Sequence, residues 1–405
     1  MTTPMSSALF QHVEMAPRDP ILGVTEAFVA DPNPAKVNLG VGIYYNDAGK
    51  VPLLQCVAEA EKRLLEAALP RAYLPIDGLA AYDKAVQGLV FGADSPIIRD
   101  KRAVTVQALG GTGGLKIGAD FLRRLTPGAE VWISDPSWEN HRALFENAGF
   151  KVNTYRYYST DHNGLDASGF IDGLRRIPAG HIVVLHACCH NPTGADLSED
   201  QWREVVTIVR ERDLTAFLDL AYQGFGDGID ADAWAVRAFA DSGLPFLVSN
   251  SFSKSFSLYG ERVGALSIVT TSADEAARVL SQIKRIVRTN YSNPPTHGGK
   301  VVSTVLDTPE LRALWEQELA GMRDRIREMR VRLVERLRDL APARDYSFVL
   351  RQRGMFSYSG LTKPQVERLA REYSVYAIDT GRICVAALNS GNIDRVASAI
   401  ATVIA

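Results

Sequence analysis

Residues 182–220 read IVVLHACCHNPTGADLSEDQWREVVTIVRERDLTAFLDL, and their pattern decides the fold. The first run, Ile182–Ala187, is apolar without alternation, which suits a strand covered on both faces rather than one facing water. Two turn pairs follow, Asn191-Pro192 and Thr193-Gly194. Ser198, with Gln201 three positions on, then makes a capping signature ahead of a helical run from Gln201 to Glu211. The second apolar run, Phe217–Leu220, completes a strand–helix–strand unit. Units of this kind build mostly parallel, doubly wound sheets with right-handed crossovers.

Outward from this unit the alternation repeats. Val104–Gln107, Val131–Ser134, Phe246–Ser249 and Ala265–Val269 read as further buried strands, with helices at Leu115–Leu125 and Asn140–Ala148. After about residue 308 the texture changes. Pro309–Leu340 is charge-rich, and its apolar positions from Leu311 to Leu337 recur at spacings of three and four, the stripe of one long helix. Shorter segments follow at Phe348–Leu350, Met355–Tyr358, Lys363–Tyr373, Tyr376–Ile378 and Ile383–Ala386, with a last helix from Asn392. The expected fold is α/β. A large domain, residues 50–308, carries the sheet; a smaller α+β domain spans 309–405; residues 1–49 pack with the small domain.

The 405 residues are 46% hydrophobic and 23% charged, the balance of an ordinary globular protein. With 45 Lys+Arg against 47 Asp+Glu the net charge is −2, which argues against nucleic acid as a partner. A small anion needs only two or three cations and is not excluded. No apolar run reaches the roughly 18 residues of a membrane span, and Met1–Glu14 lacks the basic-then-apolar order of a secretory signal. Cys56, Cys188, Cys189 and Cys384 form neither a disulfide framework nor a zinc spacing. These readings point to a cytoplasmic protein without a metal or a membrane partner.

Several strand ends carry chemistry. Ser249-Asn-Ser-Phe-Ser-Lys254 runs an apolar strand into a lysine among serines, and Arg262 follows eight residues later. A desolvated lysine amine moves toward its neutral, nucleophilic form and can make a Schiff base with an aldehyde cofactor; hydroxyls beside it can hold a phosphate. Gly110-Gly111-Thr112-Gly-Gly114 lies between a strand and a helix, where backbone N–H groups can approach an anion. Asp219 sits in an apolar strand and needs a cation, either a protonated ring nitrogen or a structural arginine. Tyr222 lies three residues on, and Asn191 follows another strand end. Trp138 either stacks on a planar ligand or belongs to the core. Arg288 and Arg382 stand in uncharged surroundings, suited to bidentate carboxylate binding or to surface salt bridges.

Taken in order, these motifs resemble the fold-type-I pyridoxal-phosphate aminotransferases, in their aspartate/aromatic subgroup. The likeness runs from Asn38-Leu-Gly-Val-Gly42 to Gly381-Arg382 and rests on His190-Asn-Pro-Thr-Gly, Asp219-Leu-Ala-Tyr-Gln-Gly-Phe, Ser251-Phe-Ser-Lys and Tyr259-Gly-Glu-Arg-Val-Gly. The resemblance implies pyridoxal 5'-phosphate as cofactor, with Lys254 as its Schiff-base partner and proton shuttle. It implies Asp219 on the pyridine nitrogen, His141 orienting Asp219, and Tyr222 and Asn191 on the ring oxygen. Trp138 would cover the ring face, and Gly111, Thr112, Ser251, Ser253 and Arg262 would bind the phosphate. Gly42, Trp138 and Asn191 would border the substrate, with Arg382 on its α-carboxylate. A homodimer is implied, in which Tyr73 reaches the neighbour's phosphate and Arg288 the neighbour's substrate side chain. The bonds before Pro136 and Pro192 are expected to be cis.

Substrates would be amino acids and 2-oxo acids in a ping-pong exchange. The aspartate branch typically has Asn-Phe-Gly after the lysine; here Ser255-Phe256-Ser257, with Ile43-Tyr44-Tyr45-Asn46 upstream, is similar to the bacterial aromatic-amino-acid (tyrosine) branch. Tyrosine, phenylalanine and aspartate as donors to 2-oxoglutarate are therefore expected, with an aspartate aminotransferase as the alternative. A nucleotide-dependent dehydrogenase would need an acidic residue about 20 positions past the glycine turn, where the chain reads Pro127-Gly-Ala-Glu130 ahead of the next strand. A cofactor-free binding protein would leave Lys254, Asp219 and Arg262 with no reason to coexist.

Overall fold

The structure is a computed structural model that describes residues 10–11, 13–16 and 20–405. Most of the Met1–Glu14 stretch, and with it the start of the 1–49 segment, lies outside the described residues. Seven strands form the central sheet: β1 (Ala103–Leu109), β2 (Val131–Asp135), β3 (Val152–Arg156), β4 (Ile182–His186), β5 (Thr215–Leu220), β6 (Phe246–Ser251) and β7 (Val263–Val269). Their order is β1-β7-β6-β5-β4-β2-β3. The neighbours from β6 across to β3 are parallel, while β7 runs antiparallel to both β6 and β1.

The unbroken apolar runs have the cause expected of them. In β4, Ile182 and Val184 face one core while Val183 and Leu185 face the other. Each face is sealed by helices, so no position is left for a polar residue. β3 was not anticipated from the sequence. Val152 and Tyr155 are buried but Thr154 and Arg156 are exposed, the mixed pattern of a strand at the sheet edge.

The helix after β1 also begins earlier than expected. It spans Gly110–Leu125, not Leu115–Leu125, so the glycine-rich stretch is its first turn rather than a preceding loop. Glycine's poor helix propensity hides this start in the sequence. The helix before β5 carries the anticipated capping box: Ser198 accepts from Gln201 N–H and the Gln201 side chain returns to the Ser198 N–H.

The long helix spans Pro309–Leu340, as its apolar stripe requires. It reaches back toward the sheet at two places. Glu318 accepts the N–H groups of Gln55 at 2.7 Å and Cys56 at 3.0 Å, capping the helix Gln55–Glu66. Trp315 stacks on Phe256 at 4.7 Å between centroids, and its indole N–H donates to Ser255 O at 2.8 Å. Beyond this helix, Phe356–Tyr358 pairs antiparallel with Arg382–Cys384. Val37–Asn38 pairs in parallel with Val375–Tyr376, laying the N-terminal segment against the C-terminal residues. Among the described residues no helix is long and apolar enough to cross a membrane.

Trp315 is a fully buried side chain joined to the residue beside Lys254. Trp315→Ala is expected to cost about 3–5 kcal/mol, and Trp315→Phe, which loses mainly the hydrogen bond, about 1–2 kcal/mol. Urea denaturation midpoints check the ranking; equal losses in the two variants would contradict it.

Candidate active site

The sheet's mixed direction gathers chemistry at one edge. β1, β2, β4, β5 and β6 end there, and β7, running the other way, begins there, with Val263 opposite Leu109 and Gly264 opposite Ser251. Residues just past the strand ends therefore meet: Gly111 and Thr112 after β1, Trp138 after β2, Asn191 after β4, Tyr222 after β5 and Lys254 after β6. Arg262 arrives just before β7. Together with Gly42, Asp219, Ser251, Ser253 and Arg382, all of these line one cleft of about 190 Å³.

At one end is an anion cradle. The Gly110–Leu125 helix points its N-terminus into the cleft, where its first N–H groups have no helical partner. Ser251 and Ser253 are buried beside it, and Arg262 Nη1 donates to Ser253 Oγ at 3.2 Å. Gly110 has φ of +69°, and a Cβ there would lie 2.5 Å from Arg262 Nη2, so only glycine lets the guanidinium cross the helix start. Ser249, not singled out from sequence, donates to Gly111 O at 2.8 Å and fixes the turn from the strand side.

In the middle is Lys254. Burial is the main influence on its amine and lowers its pKa to about 8; Asp219 opposes this and Arg262 adds to it. Its Nζ lies 5.1 Å from the centroid of the Tyr222 ring. Asn191 Nδ2 donates to Tyr222 Oη at 3.4 Å, so two buried polar side chains converge on one wall.

At the far end Asp219 is 5% exposed. Burial alone would push its carboxyl up, but the His141 hydrogen bond and the Lys254 charge outweigh it and hold the group below the usual carboxylate range. His141 Nε2 is 2.9 Å from Asp219 Oδ2, and its Nδ1 is 2.9 Å from Ser137 Oγ. Behind this pair lies a column of rings not anticipated as part of the site. His141 and His186 are 4.9 Å apart, His186 and His190 4.3 Å, and His190 stacks on Tyr157 at 3.9 Å. Burial lowers His186 to about 3 and holds His190 well below the usual histidine range, so both remain neutral.

Arg382 forms the side opposite the sheet edge. It is 1% exposed, lies over the Phe356 ring at 4.5 Å, and donates to Asn191 Oδ1 at 3.2 Å and Gly40 O at 2.7 Å. Gly42 passes close by; a Cβ there would sit 2.7 Å from Phe356 Cζ. Tyr259 and Phe356 also line the cleft, as do Leu115, His186 and Ala221, and none of these was read as a site residue from sequence. Tyr73 and Arg288 do not line the cleft of their own chain. Tyr73 is 94% exposed, and Arg288 is exposed on the helix Ala273–Asn290, bonded to Ser292 Oγ at 2.5 Å. The Asp135-Pro136 and Asn191-Pro192 bonds are cis, as expected.

Among the described residues two groups bring possible metal-ligating atoms within 4.8 Å of one another: His141, His186 and Asp219, and Cys188, Cys189 and Asp232. In each the carboxylate is already engaged, Asp219 by His141 and Asp232 by the N–H groups of Gly224, Gly226 and Asp227.

The donor set fits pyridoxal phosphate. A helix N-terminus, hydroxyls and a guanidinium suit a phosphate, an ionised buried carboxylate suits a protonated ring nitrogen, and a lysine amine with lowered pKa lies between them. The fold and this site define a transaminase, and residues 34–400 match the family described as aminotransferase class I and II, to which the chain belongs. It is a pyridoxal-phosphate-dependent enzyme of the aspartate/aromatic subgroup. An aspartate aminotransferase of Pseudomonas aeruginosa is 64% identical over 98% of this chain and all of that one. An aromatic-amino-acid aminotransferase of Escherichia coli is 52% identical over the same shares. Among solved structures, an aromatic-amino-acid aminotransferase from Burkholderia pseudomallei, covalently bound to pyridoxal phosphate, is 65% identical with a TM-score of 0.97, covering 98% of this chain and 100% of that one.

The lowered folded pKa of Lys254 makes the charged lysine a cost to the cofactor-free protein. That cost is full below about pH 8 and fades as pH rises toward the unfolded value near 10.4. Trinitrobenzenesulfonate labelling of Lys254 in the cofactor-free protein should accordingly show a midpoint near pH 8. A midpoint near that of surface lysines would contradict the geometry.

Proposed function

We propose that the chain is an aromatic-amino-acid aminotransferase. It moves amino groups reversibly from tyrosine and phenylalanine, and also from aspartate, to 2-oxoglutarate by a ping-pong route. The observation that carries this is the placement of Lys254 between the anion cradle and Asp219, with Arg382 facing them across one cleft. Pyridoxal phosphate, when bound, supplies an electron sink for the pair left when the substrate Cα loses its proton. Lys254 Nζ takes that proton and later returns one; an amine with pKa near 8 is matched to both tasks close to neutral pH.

The other residues serve this transfer. Asp219 stays ionised and keeps a ring nitrogen protonated, and His141 orients it from behind. Asn191 and Tyr222 would hold the ring oxygen of the cofactor, and Trp138 would cover its ring. Gly111, Thr112, Ser251, Ser253 and Arg262 hold the phosphate. Arg382 holds the α-carboxylate shared by every substrate, while Gly42 lets the chain pass close over it.

The enzyme works as a cytoplasmic homodimer in which Tyr73 and Arg288 complete the neighbour's site. Both are exposed and neither lines its own cleft, which supports that reading. Residues 1–49, 50–308 and 309–405 are the N-terminal segment, the cofactor domain and the small domain. The contact of Val37–Asn38 with Val375–Tyr376 favours grouping the first with the last.

Aromatic specificity is supported by the Ile43-Tyr44-Tyr45 stretch, which directly follows the cleft residue Gly42, and by the aromatic-amino-acid names of two relatives. An aspartate aminotransferase is the second reading, favoured by the name of the Pseudomonas aeruginosa relative. A side chain that accepts both a ring and a carboxylate fits an Arg288 that leaves when a ring enters.

Steady-state kcat/KM for phenylalanine, tyrosine and aspartate separates the readings. Comparable values for all three are expected; fast aspartate turnover beside negligible phenylalanine turnover would overturn the aromatic assignment. Arg288→Ala should lower kcat/KM for aspartate by about 10²-fold, the scale of a lost charge pair, and change phenylalanine little.

A further inference from the structure

We propose that Glu139 is a resident competitor for the substrate α-carboxylate. It lends Arg382 a counter-charge in the empty cleft and weakens carboxylate capture when substrate arrives. The proposal rests on the reading of Arg382 as the α-carboxylate clamp.

Arg382 is among the largest fully buried side chains of the protein. A buried guanidinium is costly without a counter-charge. Its close acceptors, Asn191 Oδ1 and Gly40 O, are neutral, and so is the Phe356 ring beneath it. Among the described residues its one carboxylate partner is Glu139, with Oε1 at 3.5 Å from Nη1. That is long beside the roughly 2.8 Å of a well-made charged hydrogen bond, and the pair is not bidentate.

Each partner also keeps an unused atom. Arg382 Nε and Glu139 Oε2 are both buried without a hydrogen-bond partner among the described residues. A pair built only for stability would be expected to use these atoms, because leaving them bare forfeits the compensation for burial. The bare Nε leaves one donor of the guanidinium uncommitted. Glu139 holds Arg382 loosely enough to share it.

Glu139 keeps its place when that happens. It opens the helix Glu139–Asn147, directly after Trp138, where the helix N-terminus favours an acid. Its side chain is 30% exposed. Two carboxylates then share one guanidinium, and each is held less tightly than it would be alone.

The effect falls on a group that all substrates share. Amino acid and 2-oxo acid both carry the carboxylate next to the reacting carbon, so the competitor lowers affinity for both without touching side-chain selection. Interactions equal in ground state and transition state change KM rather than kcat. Glu139 is thus a specificity-neutral setting of affinity that favours release.

The test compares Glu139→Gln, Glu139→Asp and Arg382→Lys in the holoenzyme. Glu139→Gln should lower KM for amino-acid donor and 2-oxoglutarate alike by about two- to fivefold, the scale of a partly exposed charge contact. Glu139→Asp, which restores the charge, should reverse most of that gain. Calorimetric titration with succinate, which has no amino group to transfer, should show the same tightening for Glu139→Gln. Arg382→Lys should raise KM by about tenfold or more, reporting on the clamp by itself. If Arg382→Lys raises KM while Glu139→Gln leaves it unchanged or also raises it, Glu139 merely orients the arginine and the competitor proposal fails. An unchanged KM in Arg382→Lys would instead overturn the clamp reading, and the proposal with it.

Discussion

Lys254 has to be reactive in a place where a charged amine is expensive. Burial pulls the amine toward neutrality, Arg262 pushes the same way, and Asp219 pulls back toward the charged form. The balance lies near pH 8, and much of the architecture is needed to keep it there. β5 and β6 must be neighbours, in the register that sets Asp219 opposite Ser249. His141 must meet Asp219 from behind so that this carboxylate stays ionised despite its burial. Trp315 pins Ser255, the next residue along, to the long helix, so the lysine loop is tied to the C-terminal half as well as to the sheet.

The two ends of the cleft obey the same logic with opposite charges. The cradle combines a helix N-terminus with Arg262, and Gly110 is the position where a side chain would close it. The clamp is Arg382, which reaches the cleft from a short antiparallel pair in the C-terminal half, with Tyr358 opposite it and the Phe356 ring beneath it. A net charge of −2 says nothing about these cations. They act as single side chains, and Arg382, 1% exposed, does so in low-dielectric surroundings where one charge counts for far more than the sum over the surface.

Much of this was legible in the sequence because burial leaves a plain signature. Strands sealed on both faces hold few polar residues, so β4 stands out as an unbroken apolar run and β5 as one broken at Asp219, and the long helix shows its stripe. β3 did not, because Thr154 and Arg156 face water at the sheet edge. The start of the helix after β1 was hidden for another reason: glycines chosen for close approach to an anion look like a turn. Site residues were visible where a polar group interrupts an apolar run, as at Asp219, or follows one, as at Lys254. Ser249, Tyr259, Phe356 and Glu139 carry no such mark. Their importance comes from what the fold places beside them, Gly111 for the first and Arg382 for the last two. Tyr73 and Arg288 give no cleft signal in a single chain, because neither faces its own site.

The most direct test of the account is chemical. Pyridoxal phosphate is added to the cofactor-free protein, the complex is reduced with borohydride, and the digest is mapped by mass spectrometry. The account requires one dominant modified peptide, carrying the reduced cofactor on Lys254. Label spread over surface lysines, or a protein that takes up none, would contradict it.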